Sequence, residues 1–454
     1  MWLSSTPGTW NLLYVLDFFA IGHFFVSYYR QCYRKGYKID FWHTGLFISC
    51  VLPNMLLLPF AKSELNGIVL GTALWPVIDV VPTVFLITLV GYAATIIGGE
   101  FWRLQLGVGA RKTSARVLDV VPRCSMMLMS SRSVLVFQTG VCLLLQIGIL
   151  ATYFSQSGFG FDLRGYTFAN PTVRPIALLA SNYSVIIASH CFARYIDRRE
   201  RALLKCTLLL TFGLIFFGAR ANLAAIYINV LLCYMVRLRN RISLFRIASI
   251  IAIIMTFGFY LQNVRAGQYS LTTFFASLAF MLFYGTNLSD LRDFAWVYSG
   301  WDHVFWGGKT YLVAFMSFVP RFASQFRETW GLGPMTSAAA GFDPQLFTGL
   351  RPGVFGEGFF NFGLTGVIAI GLMLGVTARY VDMVTKQELG PPHPSTMKAF
   401  AATSLGIVTS CLAVTAGFST LYVLAAVYFL SWFFLTVHRV FQPPRISNVQ
   451  AKLT

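Results

Sequence analysis

Apolar runs long enough to cross a bilayer follow one another along most of this 454-residue chain, and they confine it to one fold class. They fall at about 9–29, 41–61, 74–97, 134–155, 175–194, 206–219, 222–236, 247–264, 361–384, 398–416 and 419–438, which predicts about eleven transmembrane helices, within a range of 10–14. Backbone N–H and C=O groups find no water in hydrocarbon, and a helix satisfies them internally. The expected fold is therefore all-α, a single polytopic integral membrane domain over residues 1–454. Composition agrees: 56% apolar residues, 11% charged residues and a mean hydropathy of +0.65 do not make the surface of a water-soluble domain. The N-terminus lacks the basic start and small-residue cleavage site of a removable signal peptide, so the first run is expected to be a retained span.

A net charge of +18 suggests nucleic acid only until its placement is read. Basic residues gather at Arg30, Arg34, Lys35 and Lys38, at Arg103, Arg111, Lys112, Arg116 and Arg123, and at Arg198, Arg199, Arg201 and Lys205. They return at Arg237, Arg239, Arg241 and Arg246 and at the C-terminus. With these clusters on the cytoplasmic side, neighbouring clusters are joined by even numbers of crossings, as the apolar runs allow. The segment 265–360 then forms one large outer loop, in which six basic and six acidic residues cancel. A loop of that length is more often functional than a mere connector. Its two apolar pieces, Leu271 to Tyr284 and Tyr311 to Val319, are short for a span and read as interfacial or re-entrant, or as two tilted crossings.

The eight cysteines, Cys32, Cys50, Cys124, Cys142, Cys191, Cys206, Cys233 and Cys411, include no Cys-x-x-Cys pair and none in that loop. Disulfides and a zinc site are accordingly not expected. The chain carries no Walker loop, dinucleotide fingerprint or His-Glu-x-x-His, so an enzyme of this kind would draw its energy from an activated lipid substrate.

The loop ends in Arg351-Pro-Gly-Val-Phe-Gly-Glu357-Gly-Phe-Phe-Asn361-Phe-Gly, which puts a guanidinium and a carboxylate at the mouth of the 361–384 span. Charge there is costly unless it is paired or functional. Arg220, in Gly-Ala-Arg-Ala-Asn between two short apolar pieces, is expected on the same side, with Arg164, Arg174, Arg265, Arg321 and Arg351. Guanidinium forks match phosphate oxygens, so convergence of several would suit a pyrophosphate; snorkelling to headgroups is the alternative for each. If a helix already runs through Glu357, Asn361 shares its face, while Gly353 and Gly356 would let backbone approach a ligand. Glu357 is then either a catalytic carboxylate or a helix-start residue that meets the dipole and Arg351. His190 reads as a bundle-packing histidine, and His303 is the one histidine placed outside.

The order Asp290-Leu-Arg-Asp293, Gly307-Gly-Lys309-Thr-Tyr311, Val319-Pro-Arg321, Gly356-Glu357 and Asn361-Phe-Gly363, with the upstream Gly-Ala-Arg220, resembles the Wzy-type family of oligosaccharide repeat-unit (O-antigen) polymerases. The resemblance is sharpest over about 210–385. Where the family's pattern has a basic residue after Pro-Arg, this chain offers Arg327 without the usual Lys-Pro pair. The resemblance implies a GT-C-like, metal-independent membrane glycosyltransferase without a cofactor, acting on undecaprenyl-pyrophosphate-linked oligosaccharide at the periplasmic face of a bacterial inner membrane. It implies Glu357 and Asp293 as catalytic carboxylates, Arg220, Arg265, Arg321 and Arg351 as pyrophosphate ligands, and Asn361, Gly356 and Arg327 as substrate-positioning residues. Membrane lipids, a flippase and a chain-length regulator are the implied partners, and nucleic acid is not. An O-antigen ligase shares this architecture but resembles a pattern with an outer catalytic histidine, which Trp301-Asp302-His303 does not match. A transporter or flippase would use similar helices and arginines, but its internal repeats are missing from the sequence.

Overall fold

The computed structural model describes residues 5–29, 45–60, 77–104, 118–157, 172–216, 289–319, 323–344, 349–388 and 395–441, with isolated positions between them. Among the described residues the secondary structure is entirely helical. Seven helices are long and apolar enough to cross a membrane. They coincide with seven of the expected spans; those at 222–236 and 247–264 lie almost wholly outside the described residues, and 206–219 is described only to Phe216. The chain divides into two compact units, one of residues 1–119, 233–395 and 402–421, the other of 120–232, 396–401 and 422–454.

In the first unit, α1 (Pro7–Tyr29) turns Leu12, Phe18 and Phe19 outward and buries Trp10, Leu13 and Phe24. The run expected to be one span at 41–61 is instead broken where it is described. A π-turn (Phe47–Val51) leads into the short α2 (Leu52–Leu57) and then a 3-10 turn (Leu58–Phe60). Pro53 explains the break, since its ring crowds the backbone carbonyl four residues earlier and it has no N–H to continue the ladder. Phe47 closes the gap by stacking on Phe24 at 4.1 Å.

The centre of this unit is the pairing of α3 (Val77–Leu104) with the 36-residue α12 (Gly353–Glu388). Glycines make that contact intimate. A Cβ on Gly371 would stand 2.6 Å from the Gly91 carbonyl, and one on Gly98 would stand 2.5 Å from that of Leu372. Gly371 and Gly375 are four residues apart, so one face of α12 lies backbone against backbone on α3, the way small residues let membrane helices approach. Dispersion contacts along such a seam supply the attraction that lipid cannot.

The second unit holds α4 (Val120–Ser130), α5 (Arg132–Ser157), α6 (Val173–Arg198) and α7 (Arg201–Phe216), with parts of α13 (Thr396–Ala413) and α14 (Phe418–Phe441). Several buried polar side chains within it are paired across helices, where an unpaired polar group would be costly. Gln146 donates to Ser184 at 2.8 Å, Gln138 donates to Ser431 at 2.9 Å, and His190 meets Ser125 at 2.8 Å while its other ring nitrogen faces the Ile186 carbonyl. His190 is thus a helix-linking residue, as the sequence suggested. Asp197 caps the start of α13 (Thr396–Ala413), accepting the N–H groups of Thr396 and Met397.

Within the expected outer loop, 265–360, the described residues form short helices: α8 (Asp290–Ser299), α9 (Lys309–Phe315), α10 (Gln325–Thr329) and α11 (Leu332–Ala339). At seven residues, α9 spans about 10 Å, far less than a bilayer. The other apolar piece, 271–284, falls almost wholly outside the described residues. A 3-10 turn (Thr415–Gly417) then links α13 to α14 (Phe418–Phe441).

Candidate active site

The helix expected to begin near residue 361 begins at Gly353 and carries a kink at Gly363, with φ 64° and ψ −153°. That conformation is open in practice only to glycine. It interrupts the intrahelical ladder, and the exposed carbonyls are met from another part of the chain. The Trp306 N–H donates to the Phe360 carbonyl at 2.8 Å and the Gly307 N–H donates to that of Asn361 at 3.0 Å. Gly307 and Gly308 hold positive φ in this turn, and Trp306 stacks on Phe360 at 4.9 Å. The residues after the kink, 364–388, measure about 37 Å as a helix, long enough by themselves to cross a bilayer. Glu357 precedes them.

Because the helix does run through Glu357, Asn361 lies one turn on, and the two are joined: the Asn361 amide donates to the Glu357 carbonyl at 2.8 Å. Its own oxygen accepts from the Thr310 hydroxyl of α9 at 3.0 Å. Asn361 is 1% exposed. It therefore positions protein, where a substrate-positioning role was expected. The Glu357 carboxylate is 2% exposed and accepts the Thr415 N–H at 2.8 Å, with the Thr415 side chain bonded to it as well. Tyr311 ties the same region together by donating to the Ala413 carbonyl.

Asp293 sits on α8. One carboxylate oxygen accepts Nε and Nη2 of Arg292 at 3.0 and 2.9 Å, and the other accepts the Ser289 hydroxyl and the Arg351 N–H. Both members of the Asp293–Arg292 pair are buried within α8, and the Arg351 N–H bond to Asp293 ties α8 to the segment that leads into α12. Burial raises the Asp293 carboxyl, and Arg292 opposes that rise. Arg351, held by its backbone, leaves its guanidinium exposed, with its charge felt at both Asp290 and Glu357.

Asp290 was quoted within a motif but given no role by sequence, and it is the third carboxylate here. It is half-buried and accepts no hydrogen bond among the described residues. Burial and the neighbouring Asp293 charge raise its pKa to about 6, against the pull of Arg351. The signal available in sequence was its place three residues before Asp293, on one helix face.

Gly356 does not open a path to a ligand. A Cβ there would meet Pro352 at 2.7 Å and the Phe294 ring at 3.2 Å, so its smallness serves packing against α8. Gly353, with φ 73°, makes room for Asp290 instead. Arg327 lies on α10, where Ser324 caps its N–H. Lys309 stacks its ammonium over Trp330 at 3.6 Å. His303 adopts a positive φ of 62° and packs on Trp301 and Tyr298. Arg220, Arg265 and Arg321, expected to join Arg351 around a pyrophosphate, lie outside the described residues, as does Arg164.

Comparison with protein-family models, with curated proteins and with solved structures gives no match for this chain.

Proposed function

We propose that the chain is a membrane-embedded glycosyltransferase of the Wzy polymerase type. In this reading it transfers a growing glycan from undecaprenyl pyrophosphate onto a new lipid-linked repeat unit at the periplasmic face of a bacterial inner membrane. The observation that carries the reading is convergence. Segments far apart in sequence, which together resemble the polymerase pattern, are bonded to one another around the start of α12: Asp293 to Arg351, Gly307 and Thr310 to Asn361, and Glu357 to the turn after α13. Residues brought together in this way, next to an exposed guanidinium and a half-buried carboxylate, are suited to group transfer from a pyrophosphate. Departing pyrophosphate needs positive charge, which Arg351 offers. An acceptor hydroxyl needs to be held in line beside it.

Deletion of the gene, followed by electrophoresis of the surface glycan, tests the reading. Loss of the long-chain ladder with one repeat unit still attached is the expected result. Loss of every repeat from its acceptor would identify a ligase, and lipid-linked units trapped in the cytoplasm would identify a flippase.

A further inference from the structure

Three carboxylates surround the Arg351 segment, and their hydrogen bonds separate their roles. Asp293 spends both oxygens on Arg292, Ser289 and the Arg351 N–H. Glu357 is 2% exposed and bonded to Thr415. The acceptor sites of Asp293 are thus taken up inside the protein, and the Glu357 side chain is sealed from solvent and tied to a neighbouring turn. Asp290 accepts no hydrogen bond among the described residues.

It is also not a helix cap. A capping aspartate accepts a backbone N–H from the first turn, whereas Asp290 lies inside the helix as its first residue, and the Asp293 N–H goes to the Ser289 carbonyl at 2.7 Å. Its position is nonetheless defined. The carboxylate rests over Gly353, where a Cβ would stand 3.0 Å from Oδ2, so the glycine with its φ of 73° makes the seat this side chain occupies. The charged groups acting on it are Asp293 on its own helix and Arg351 across from it, and its own charge is in turn felt at Glu357.

From this geometry we infer that Asp290 is the catalytic base of the proposed polymerase reaction, a role that rests on the reading above. The acceptor sugar's hydroxyl oxygen forms a bond to the anomeric carbon of the donor glycan. The bond from that carbon to the pyrophosphate oxygen breaks, and its electron pair leaves with undecaprenyl pyrophosphate, whose new charge Arg351 meets. The hydroxyl proton passes to Asp290 and from there to water. A carboxyl whose pKa is raised to about 6 is still ionised at neutral pH and is a stronger base than an ordinary aspartate.

The test uses the purified full-length chain in lipid nanodiscs with a synthetic undecaprenyl-pyrophosphate-linked repeat unit, reading both elongation rate and binding of that lipid. Asp290→Asn is expected to slow elongation by about a hundredfold or more while binding changes by about threefold or less. Asp290→Glu should recover part of the rate. In Asp290→Ala, added formate should restore elongation, which a merely structural role would not allow. An Asp290→Asn enzyme that elongates at the wild-type rate, or a loss matched by loss of binding and indifferent to formate, overturns the assignment. Failure of the broader reading shows itself separately: the wild-type chain then binds or moves the lipid-linked unit without elongating it.

Discussion

Asp290 is a residue held in a state that costs the fold something, and that cost is measurable. Its carboxyl titrates near pH 6 in the folded protein against an ordinary value of 3.8. Between those values the folded chain holds a proton that the unfolded chain has released. Stability contributed by this group is therefore full below about pH 4, falls as pH rises towards 6, and stays low above it. Asp290→Asn removes the ionisation, so at pH 7.5 the variant should melt at a higher temperature than the wild type, with the gap closing towards pH 4; this is readable by scanning fluorimetry in detergent. Equal melting temperatures at both pH values would mean that the carboxyl is as well solvated as any surface aspartate. A carboxyl that destabilises its own fold in this way is what a reactive site is expected to contain.

At the level of elements, α12 was legible in part. The apolar run at 361–384 marked its membrane portion, and the Glu357–Asn361 spacing fitted a common helical face. The kink was not legible, because Gly363 looks in sequence like any glycine of a membrane helix, and its role depends on Trp306 and Gly307 arriving from a distant loop. The same limit hides how Asn361, Glu357 and Asp293 are bonded. Sequence shows a polar side chain near a site, but the partners that consume it, Thr310, Thr415 and Arg292, are matters of tertiary contact for two of the three. Gly363→Ala tests the kink. Alanine is strained by about 1–3 kcal/mol at this φ and ψ, and its methyl would press on Phe305 at 3.1 Å. The variant should melt several degrees lower, and limited proteolysis should cut first in the 301–308 turn that loses its two carbonyl partners. Unchanged melting would mean that the helix can straighten without loss.

For the whole molecule, the sequence's strongest statement is where charge lies relative to the spans. The seven candidate spans among the described residues match the expected apolar runs, yet helices alone do not orient a protein, because a helix is as comfortable pointing either way. Orientation comes from the basic clusters, since moving an arginine-rich segment across the bilayer is what insertion avoids. Reporter fusions near residues 110, 200, 240 and 390 should therefore report the cytoplasm, and one near residue 335, in α11, the opposite side. The site stands or falls with the last of these. Arg351 and Asp290 belong to the charge-balanced segment, 265–360, and a substrate delivered to the outer leaflet reaches them only if that segment lies outside. With the clusters at 198–205 and 237–246 in the cytoplasm, the expected side of residue 335 is the same whether 265–288 makes no crossing or a pair of them, because a pair returns the chain to the face it left. A cytoplasmic signal at residue 335 would put Arg351 opposite the lipid-linked substrate and end the polymerase reading. A fusion at 335 reporting the outer face, with 390 inside, requires α12 to carry the chain across once, as its length after Gly363 allows.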